Sequence, residues 1–453
     1  MAFKKEKLSV GEKLGYSAGD MAANFIFQTI LIFQLSFYTD TFGITAAAAG
    51  TMFLVVRFSD AITDPIMGII ADRTNSRWGK FRPWIIFTAV PFGALAVITF
   101  TTPDLGPTGK LVYAYVTYTI MMIAYTANNL PYSALSGVMT GDPIERTKLS
   151  SYRFMAMTAA AIMIQGLALP MVSYFGRGDD ALGYQITIAI FATLGVILFA
   201  ITFFSTKERI TPPPKQKSSI RQDFGDLVHN GPWKAMFVLT IFIFITLAMR
   251  GSVMVYYFRH YVEQEGLFSF FMVSGLLATV VGIILASKMT ALFGKRNVFA
   301  VAIMITALFT GAFYFLPPHA IEAMFAFEIL RQLAYGFTIP LLWAMMGDVA
   351  DYSEWKNHRR ATGVVFSAVV FGLKAGLGFG GALAGWLLAA YGYEANVPQT
   401  AQAIQGIIMT SSIYPAITFI IAGACLYFYE IDKNMEKNMT DQLELRRQNN
   451  HEG

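Results

Sequence analysis

The chain has little charge and almost no cysteine. Only 14% of its 453 residues are Asp, Glu, Lys or Arg, and 55% are hydrophobic. A soluble globular protein carries about 25% charged residues, so this chain lacks the polar surface that a soluble protein of its length needs. Its one cysteine, Cys425, lies in the last apolar segment, where it has no partner for an internal disulfide and is expected to act as a packing residue.

The sequence also lacks the motifs of several enzyme classes. It has no P-loop, no His/Cys metal cluster and no nucleophile elbow, which argues against ATP hydrolysis and the common hydrolase sites. We therefore expect neither an enzyme nor a cofactor other than a coupling ion. The N-terminal stretch MAFKKEKLSVGEK is polar and basic, which predicts no signal peptide. Nucleic acid is not an expected partner, because the positive residues behind the net charge of +5 fall in predicted membrane loops.

Apolar runs long enough to cross a bilayer recur along the whole chain. They lie at about 14–38, 44–71, 83–102, 110–138, 150–175, 183–205, 234–260, 267–291, 297–316, 320–347, 362–391 and 405–430. The pattern predicts an all-α membrane protein with twelve transmembrane helices in a lipid bilayer. We expect it to be monomeric.

Basic residues fall in alternate loops between these segments. The loops after the second, fourth, sixth, eighth and tenth segments contain Arg73, Arg77, Lys80, Arg82, Arg146, Lys148, Lys207, Arg209, Lys215, Lys217, Arg221, Lys295, Arg296, Lys356, Arg359 and Arg360. The loops after the first, ninth and eleventh segments contain no Lys or Arg. By the positive-inside rule, both termini and the even-numbered loops are predicted to be cytoplasmic.

The longest polar break divides the segments into two groups of six. It contains three consecutive prolines and a dense set of charges, which argues against a membrane span there. We therefore predict a six-helix bundle at 1–205, a cytoplasmic linker at 206–233, a second six-helix bundle at 234–430 and a cytoplasmic tail at 431–453.

Short signals repeat between the two predicted bundles. WGKFRP at 78–83 is echoed by FGKRNV at 293–298, and MTGD at 139–142 by MMGD at 345–348, at offsets of 215 and 206 residues. Two echoes in the same order favour parallel halves related by an axis along the membrane normal. This is the arrangement of the major-facilitator fold.

The second segment carries three charges in the stretch RFSDAITDPIMG at 57–68. On a helix, Asp60 and Asp64 share one face, roughly 6 Å apart along the axis, and Arg57 extends the same stripe. Two carboxylates one turn apart supply oxygen ligands for a small cation, or a place for a shared proton. A structural ion pair between Arg57 and one aspartate is the alternative, but it leaves the second carboxylate unexplained.

The first segment holds a polar stripe. Asp20, Asn24 and Gln28 are spaced by four residues, so they form one face suited to hydrogen-bonding hydroxyl groups. The alternative is that Asp20 is a carboxylate near the favourable start of the helix. Because the polar stripe continues along the helix, we favour a cavity lining.

The fourth segment contains YTANNLPYSAL at 125–135. Asn128 and Asn129 precede a proline that frees a backbone carbonyl, and Tyr125, Thr126 and Tyr132 lie close by. The group is interpreted either as part of a ligand wall or as a structural proline kink with satisfied amides.

Three isolated cations also lie within segments. Lys374 stands among glycines in the eleventh segment, about twelve residues from either end, and we expect it to meet the carboxylates of the second segment. Arg250 in the seventh segment is a further candidate, and Arg153 at the start of the fifth is either a candidate or an interfacial anchor. Among the aromatic residues, Tyr125 and Trp343 lie near polar residues and suit the apolar faces of sugars.

Four stretches together resemble the glycoside–pentoside–hexuronide:cation symporters, the family of melibiose permease. They are RFSDAITDPIMGIIADRTNSRWGKFRPW, YTANNLPYSAL, GDPIERTKLSSYRF and GDVADYSEW, and the likeness runs across essentially the whole chain. The resemblance implies a major-facilitator fold and alternating access. It also implies inward movement of a sugar with Na⁺, Li⁺ or H⁺ across a bacterial cytoplasmic (inner) membrane.

The resemblance also implies roles for individual residues. It matches Asp60 and Asp64 to cation-binding aspartates, Asp20 and Arg153 to residues that hold sugar hydroxyls, Tyr125, Thr126 and Trp343 to the lining of the sugar or cation site, and Lys374 to a lysine near the cation site. With the patterns above, the predicted cation site is Asp60, Asp64, Thr126 and Asn129, the predicted sugar site is Asp20, Asn24, Tyr125, Arg153 and Trp343, and the predicted charge-balancing residues are Arg57, Arg250 and Lys374.

Two positions depart from melibiose permease. A third acidic residue on its fourth helix is Asn129 here, which puts Na⁺ use in question, and its sugar-stacking tryptophan is Ser133, which argues against melibiose. The chain is closer to the xyloside-type and glucuronide-type branches. Four buried candidate cations against three aspartates make an anionic sugar a hypothesis.

The sequence therefore predicts a symporter that imports a glycoside, pentoside or hexuronide with Na⁺ or H⁺. A proton-driven exporter and a membrane sugar sensor that does not transport remain alternatives, because direction cannot be read from residues. A polytopic membrane enzyme is disfavoured, since the acids are mid-span and a donor-binding motif is missing.

Overall fold

The computed structural model describes residues 7–140, 142–209, 230–357 and 362–449, and over these ranges the regular elements are helical apart from one bridge between Ser76 and Gly79. The first six helices are α1 (Val10–Ser36), α2 (Ala46–Arg73), α3 (Arg82–Thr99), α4 (Pro107–Met139), α5 (Pro143–Gly176) and α6 (Asp180–Ser205). They are followed by α7 (Gly231–Tyr256), α8 (Leu267–Phe293), α9 (Lys295–Ala312), α10 (Ile321–Asn357), α11 (Thr362–Ala390), α12 (Ala401–Ser411), α13 (Ile413–Cys425) and α14 (Lys433–Asn449). The predicted all-α fold is confirmed.

Among the residues that the structure describes, ten helical segments are long and apolar enough to cross a membrane. The two predicted segments outside this set are α2 and α4, which carry the charged and amide residues singled out in the sequence. The count of twelve spans therefore stays a prediction.

Two helical features were not predicted from the sequence. The twelfth predicted segment is broken at Ser412, where the backbone turns to φ −127° and ψ −74° and the hydroxyl bonds the carbonyl oxygen of Ile408. Pro415 lies three residues further on and supplies no amide hydrogen, so a continuous helix would lose a bond there. The predicted tail at 431–453 contains α14, whose Met439 and Leu443 are buried.

The chain separates into two compact units. The first contains α1 to α6, together with Gly266–Val273 and Gly392–Pro398, and the second contains the remaining described residues. In the first unit α1 packs on α5 and α6, and α4 packs on α2 and α3. In the second, α7 packs on α11 and α13, and α9 packs on α10 and α13. The predicted boundaries at 205 and 234 stay predictions, and most of the predicted linker (210–229) lies outside the described residues.

The start of that linker is held against the first unit. The carboxylate of Glu208 accepts hydrogen bonds from the backbone amides of Lys80, Phe81 and Arg82, at 2.8, 2.8 and 3.0 Å. These amides begin α3 and have no partner within the helix, so a carboxylate satisfies them and favours the positive end of the helix dipole.

Two glycines allow α8 and α10 to approach closely in the second unit. A Cβ at Gly282 would overlap the carbonyl oxygen of Leu333, and one at Gly336 would overlap the carbonyl oxygen of Thr279. Small residues at such crossings are how membrane helices achieve close backbone packing.

We expect Gly336→Ala to separate these helices and lower the stability of the protein by about 1–3 kcal/mol. The matched control is Gly347→Ala on the same helix, where an added Cβ meets nothing within 4 Å. Thermal unfolding of the two purified variants measures the difference. Equal midpoints would show that the crossing tolerates a methyl group.

Candidate functional site

The charged stripe of α2 lies inside the first unit. Asp60 is 1% exposed, and its Oδ2 lies 3.6 Å from Nη1 of Arg57, which is also buried. The guanidinium carbon of Arg57 stands 5.8 Å from the centre of the Phe27 ring. Arg57 thus neutralises part of the carboxylate charge. This contact is the ion pair between Arg57 and one aspartate that the sequence offered as the alternative.

Asp64 is tied to α4. Thr126 donates its hydroxyl to Oδ1 of Asp64 at 3.1 Å, across the contact between the two helices. The next residue of α2 is Pro65, which lacks an amide hydrogen and leaves the carbonyl oxygen of residue 61 without its usual helical donor. Pro65 was not identified from the sequence as a residue that frees a backbone carbonyl oxygen. Two carboxylates, one hydroxyl and one carbonyl are the oxygen ligands that a hard cation takes.

Asp20 of α1 is paired with Arg153 of α5. Nε of Arg153 donates to Oδ1 of Asp20 at 2.9 Å, and Asp20 is 3% exposed. The N-cap of α1 is Ser9, which forms a capping box with Glu12, so Asp20 lies well inside the helix and does not cap it. Arg153 keeps a third of its side chain exposed. An interfacial anchor would not need a buried partner, so the ion pair favours the other interpretation of Arg153, that of a candidate site residue.

A pair of tyrosines supports this ion pair. The guanidinium of Arg153 lies 5.5 Å from the centre of the Tyr132 ring, which stacks on Tyr16 with a centroid distance of 4.7 Å. The Tyr132 hydroxyl donates to the carbonyl oxygen of Tyr16 at 2.8 Å. α1 and α4 are therefore linked directly beneath the Asp20–Arg153 pair.

The amides behave differently from one another. Asn24 donates to the backbone oxygen of Asp20 at 2.9 Å, so this amide hydrogen is used within α1. Asn128 donates to the carbonyl oxygen of Ile85 and to the hydroxyl of Thr88 on α3, at 3.1 and 2.9 Å, as a structural amide does. Asn129 is half-buried on α4. The interpretation of segment four as a kink with satisfied amides therefore holds for the Asn128 nitrogen, whereas its Oδ1 is buried without a hydrogen-bond partner among the described residues.

Tyr125 lies between aromatic residues. Its ring centre is 5.9 Å from that of Phe27 and 5.8 Å from that of Phe92. Because Phe27 also lies over Arg57, this cluster connects the α2 stripe with α1 and α4.

Three predicted residues belong to the second unit. Arg250 donates through Nη2 to Oε2 of Glu328 at 3.0 Å, and Arg331 binds the same carboxylate. Trp343 on α10 packs against the buried core of that unit. Lys374 is half-buried on α11, and its predicted pairing with the α2 carboxylates stays a prediction.

The sequence analysis missed Glu328 and Arg331. Their signal was an i, i+3 pair of opposite charges, FEILRQ, eight residues into an apolar helix. Both charges lie in the interior of the second unit. They add one acid and one base to the four cations and three aspartates that were counted from the sequence.

Within the described ranges, no three His, Cys, Asp or Glu residues come together as a metal-binding group. The α2 stripe brings two carboxylates and one guanidinium together on one helix. Carboxylate oxygens are ligands for a small cation and acceptors for a proton.

An all-helical chain with paired charges buried inside long apolar helices is a multi-pass membrane transporter. The MFS/sugar transport protein family matches residues 15–433, and the chain belongs to that family. It is a secondary sugar transporter and not an enzyme.

Relatives and solved structures agree with this class. The chain is 40% identical to the inner membrane symporter YicJ of Escherichia coli, over 97% of this chain and 96% of that protein. It is 34% identical to the isoprimeverose transporter of Lactiplantibacillus pentosus, over 96% and 92% of the two chains. It is 30% identical to the glucuronide carrier protein homolog of Escherichia coli, over 98% and 97%.

The fold itself matches the crystal structure of a bacterial homolog of the human lysosomal transporter Spinster, solved in an inward-facing and unoccupied conformation. The TM-score is 0.68 at 14% identity, and the match covers 93% of this chain and 95% of that chain. The predicted major-facilitator fold and the predicted symporter family are confirmed.

We expect the Asp20–Arg153 pair to show strong coupling in a double-mutant cycle. Arg153→Gln leaves the buried carboxylate of Asp20 without its partner and should lower stability by about 2 kcal/mol. Asp20→Asn leaves Arg153, which is a third exposed, and should lower stability by less. The double variant should lose less than the sum, because neither charge remains. Thermal unfolding of the purified proteins measures the cycle, and additive losses would show that the pair contributes nothing.

Proposed function

We propose that the protein is a cation-coupled symporter that imports a glycoside, pentoside or hexuronide by alternating access. The observation that carries the proposal is the pairing of an α2 carboxylate with an α4 hydroxyl beside a second buried ion pair. Asp64 and Asp60 would supply the cation site, and Asp20 with Arg153 would hold the sugar.

The cation site is proposed at Asp60, Asp64, Thr126 and Asn129. Support comes from the two carboxylates that α2 carries one turn apart and from the Thr126–Asp64 bond of 3.1 Å. A carboxylate buried in a low-dielectric interior is costly, and a bound monovalent cation offsets that cost. Na⁺ and H⁺ both offset the cost of burying the carboxylate, so the site by itself is compatible with either coupling ion.

The sugar site is proposed at Asp20, Asn24, Tyr125 and Arg153, and the part of Trp343 in it stays a prediction from the sequence. Arg153 is a third exposed and still bonded to Asp20, so its remaining N–H groups are accessible to sugar hydroxyls. A carboxylate and a guanidinium side by side offer acceptors and donors to the hydroxyl pairs of a sugar ring.

The proposed substrate class is based on the compounds for which two relatives are named. One is named for isoprimeverose and the other for a glucuronide, which are respectively a neutral and an anionic sugar compound. We propose that this chain takes a substrate from this range, and Ser133 in place of a stacking tryptophan disfavours melibiose.

Coupling would arise because cation and sugar both stabilise the same state. α4 carries Thr126 on the cation side and Tyr132 under the Asp20–Arg153 pair, so one helix contacts both proposed sites. Two ligands that favour the same conformation raise each other's affinity. We further propose the bacterial inner membrane as the location, with both termini cytoplasmic, from the distribution of Lys and Arg.

We expect Asp60→Asn and Asp64→Asn to abolish concentrative uptake while sugar binding survives in part. Each change removes a cation ligand and leaves the Asp20–Arg153 pair in place. The matched control is Asp104→Asn in the exposed loop between α3 and α4, which should accumulate sugar normally. If both variants accumulate sugar to the wild-type level, the assignment of the cation site is wrong.

A sugar panel decides substrate and ion. Uptake of xylosides, isoprimeverose and glucuronides is measured with and without Na⁺ at two pH values, in cells that express the full chain. A sodium-coupled carrier depends on Na⁺ at both pH values, whereas a proton-coupled carrier loses uptake as external pH rises. Transport of neutral sugars alone would dispose of the anionic hypothesis.

A further inference from the structure

Three charged side chains meet inside the second unit. Arg250, Glu328 and Arg331 are 4%, 0% and 4% exposed. Nε and Nη2 of Arg331 bind the two carboxylate oxygens of Glu328, at 3.0 and 2.5 Å, and Nη2 of Arg250 binds Oε2 at 3.0 Å. Two guanidiniums thus share one carboxylate, and the trio carries a single surplus positive charge.

Among the described residues, the positive charge left over in the trio is not balanced by a further acid that acts on Arg250 or Glu328. The charged groups that act on Arg250 are Arg331 and Glu328, and those that act on Glu328 are the two arginines. An uncompensated charge in a low-dielectric interior destabilises the folded protein, so a counter-anion would offset a real cost.

Two buried donors beside the trio also lack acceptors within the part of the chain that the structure describes. They are Nε of Arg250 and the hydroxyl of Tyr257. The two residues are seven apart near the end of α7, so they lie on one face. Both contact Phe313, whose ring centre is 4.8 Å from the guanidinium of Arg250 and 6.4 Å from the ring centre of Tyr257. An N–H and an O–H donor next to excess positive charge form the chemistry of an anion site.

The repeat relates residues beside this cluster to the α2 stripe. The offset of 215 residues carries Asp64 to Thr279, and the offset of 206 carries Thr126 to Gln332. Thr126 donates to Asp64 at 3.1 Å, and Thr279 donates to Oε1 of Gln332 at 3.1 Å. Each unit therefore has an interhelical hydrogen bond at corresponding positions, with donor and acceptor exchanged.

The correspondence extends to the carboxylate. The offset of 215 carries Asp60 to Gly275, and a Cβ at Gly275 would lie 3.1 Å from Oε1 of Glu328. Glu328 thus brings its carboxylate from α10 to the place where the first unit has one on α2. At these positions the first unit has two carboxylates and the guanidinium of Arg57, whereas the second has one carboxylate and two guanidiniums.

We propose that Arg250, Arg331 and Tyr257 form a binding site for a monovalent anion, next to the residues of the second unit that correspond to the α2 stripe. The ligand is either free chloride or a carboxylate group carried by the substrate. The second source rests on the proposed sugar transport, whereas the first is independent of it.

The test is thermal unfolding of the purified full chain without sugar, titrated with sodium chloride against sodium sulfate at constant Na⁺. We expect a saturable rise of the unfolding midpoint with chloride. Tyr257→Phe removes one donor and keeps charge and shape, so the chloride concentration at half-effect should rise about fivefold or more. Arg331→Gln removes the surplus charge and should abolish the response, whereas Arg331→Lys, the matched control, should retain it.

A second titration uses sodium glucuronate against glucose. Stabilisation by glucuronate but not by chloride, lost in Tyr257→Phe, would support an anion that arrives on the substrate. If the wild-type protein shows no saturable response to either anion, or if Tyr257→Phe responds like the wild type, the anion site is overturned. Because no gradient or transport is measured, failure of cation-coupled uptake leaves this outcome unchanged.

Discussion

The structure depends on one constraint, which is that a charge inside an apolar helix bundle needs a partner. Asp20 is compensated by Arg153, Asp60 by Arg57, and Glu328 by Arg250 and Arg331. Each pair joins or stiffens helices that would otherwise be held by apolar contacts alone, since water is absent to solvate a lone charge. The charges therefore fix which helix faces turn inward in each unit.

The buried charges differ in composition from place to place. The α2 stripe contains two carboxylates and one guanidinium, the Asp20–Arg153 pair has one of each, and the Glu328 cluster has one carboxylate and two guanidiniums. A neutral pair that is partly exposed suits a ligand that exchanges hydrogen bonds, such as a sugar hydroxyl. A set with unequal numbers of acids and bases suits an ion, because an ion of opposite sign offsets the cost of burying charge.

The sequence predicted the helices well because hydrophobic runs of membrane length are long and distinct, as in α8, where predicted and observed starts coincide at Leu267. It also predicted the Arg57–Asp60 contact, which follows from helical spacing alone. The Asp20–Arg153 bond joins residues 133 positions apart, so spacing could not reveal it. Glu328 lies inside the predicted segment at 320–347, and its bond to Arg250 joins residues 78 positions apart, so spacing could not reveal this pair either. The break at Ser412 depends on a local hydroxyl bond, which hydropathy does not register.

The Thr126–Asp64 bond links ion binding to helix packing. The Thr126 hydroxyl donates its hydrogen to Oδ1 of Asp64 and thereby ties α4 to α2. The carboxylate keeps further lone pairs, and so does the hydroxyl oxygen, so a cation or a proton bound at Asp64 acts directly on a group that both helices share. α4 is also the helix whose Tyr132 lies under Arg153. The proposed ion and sugar sites are in this way joined by one helix and need no longer pathway between them.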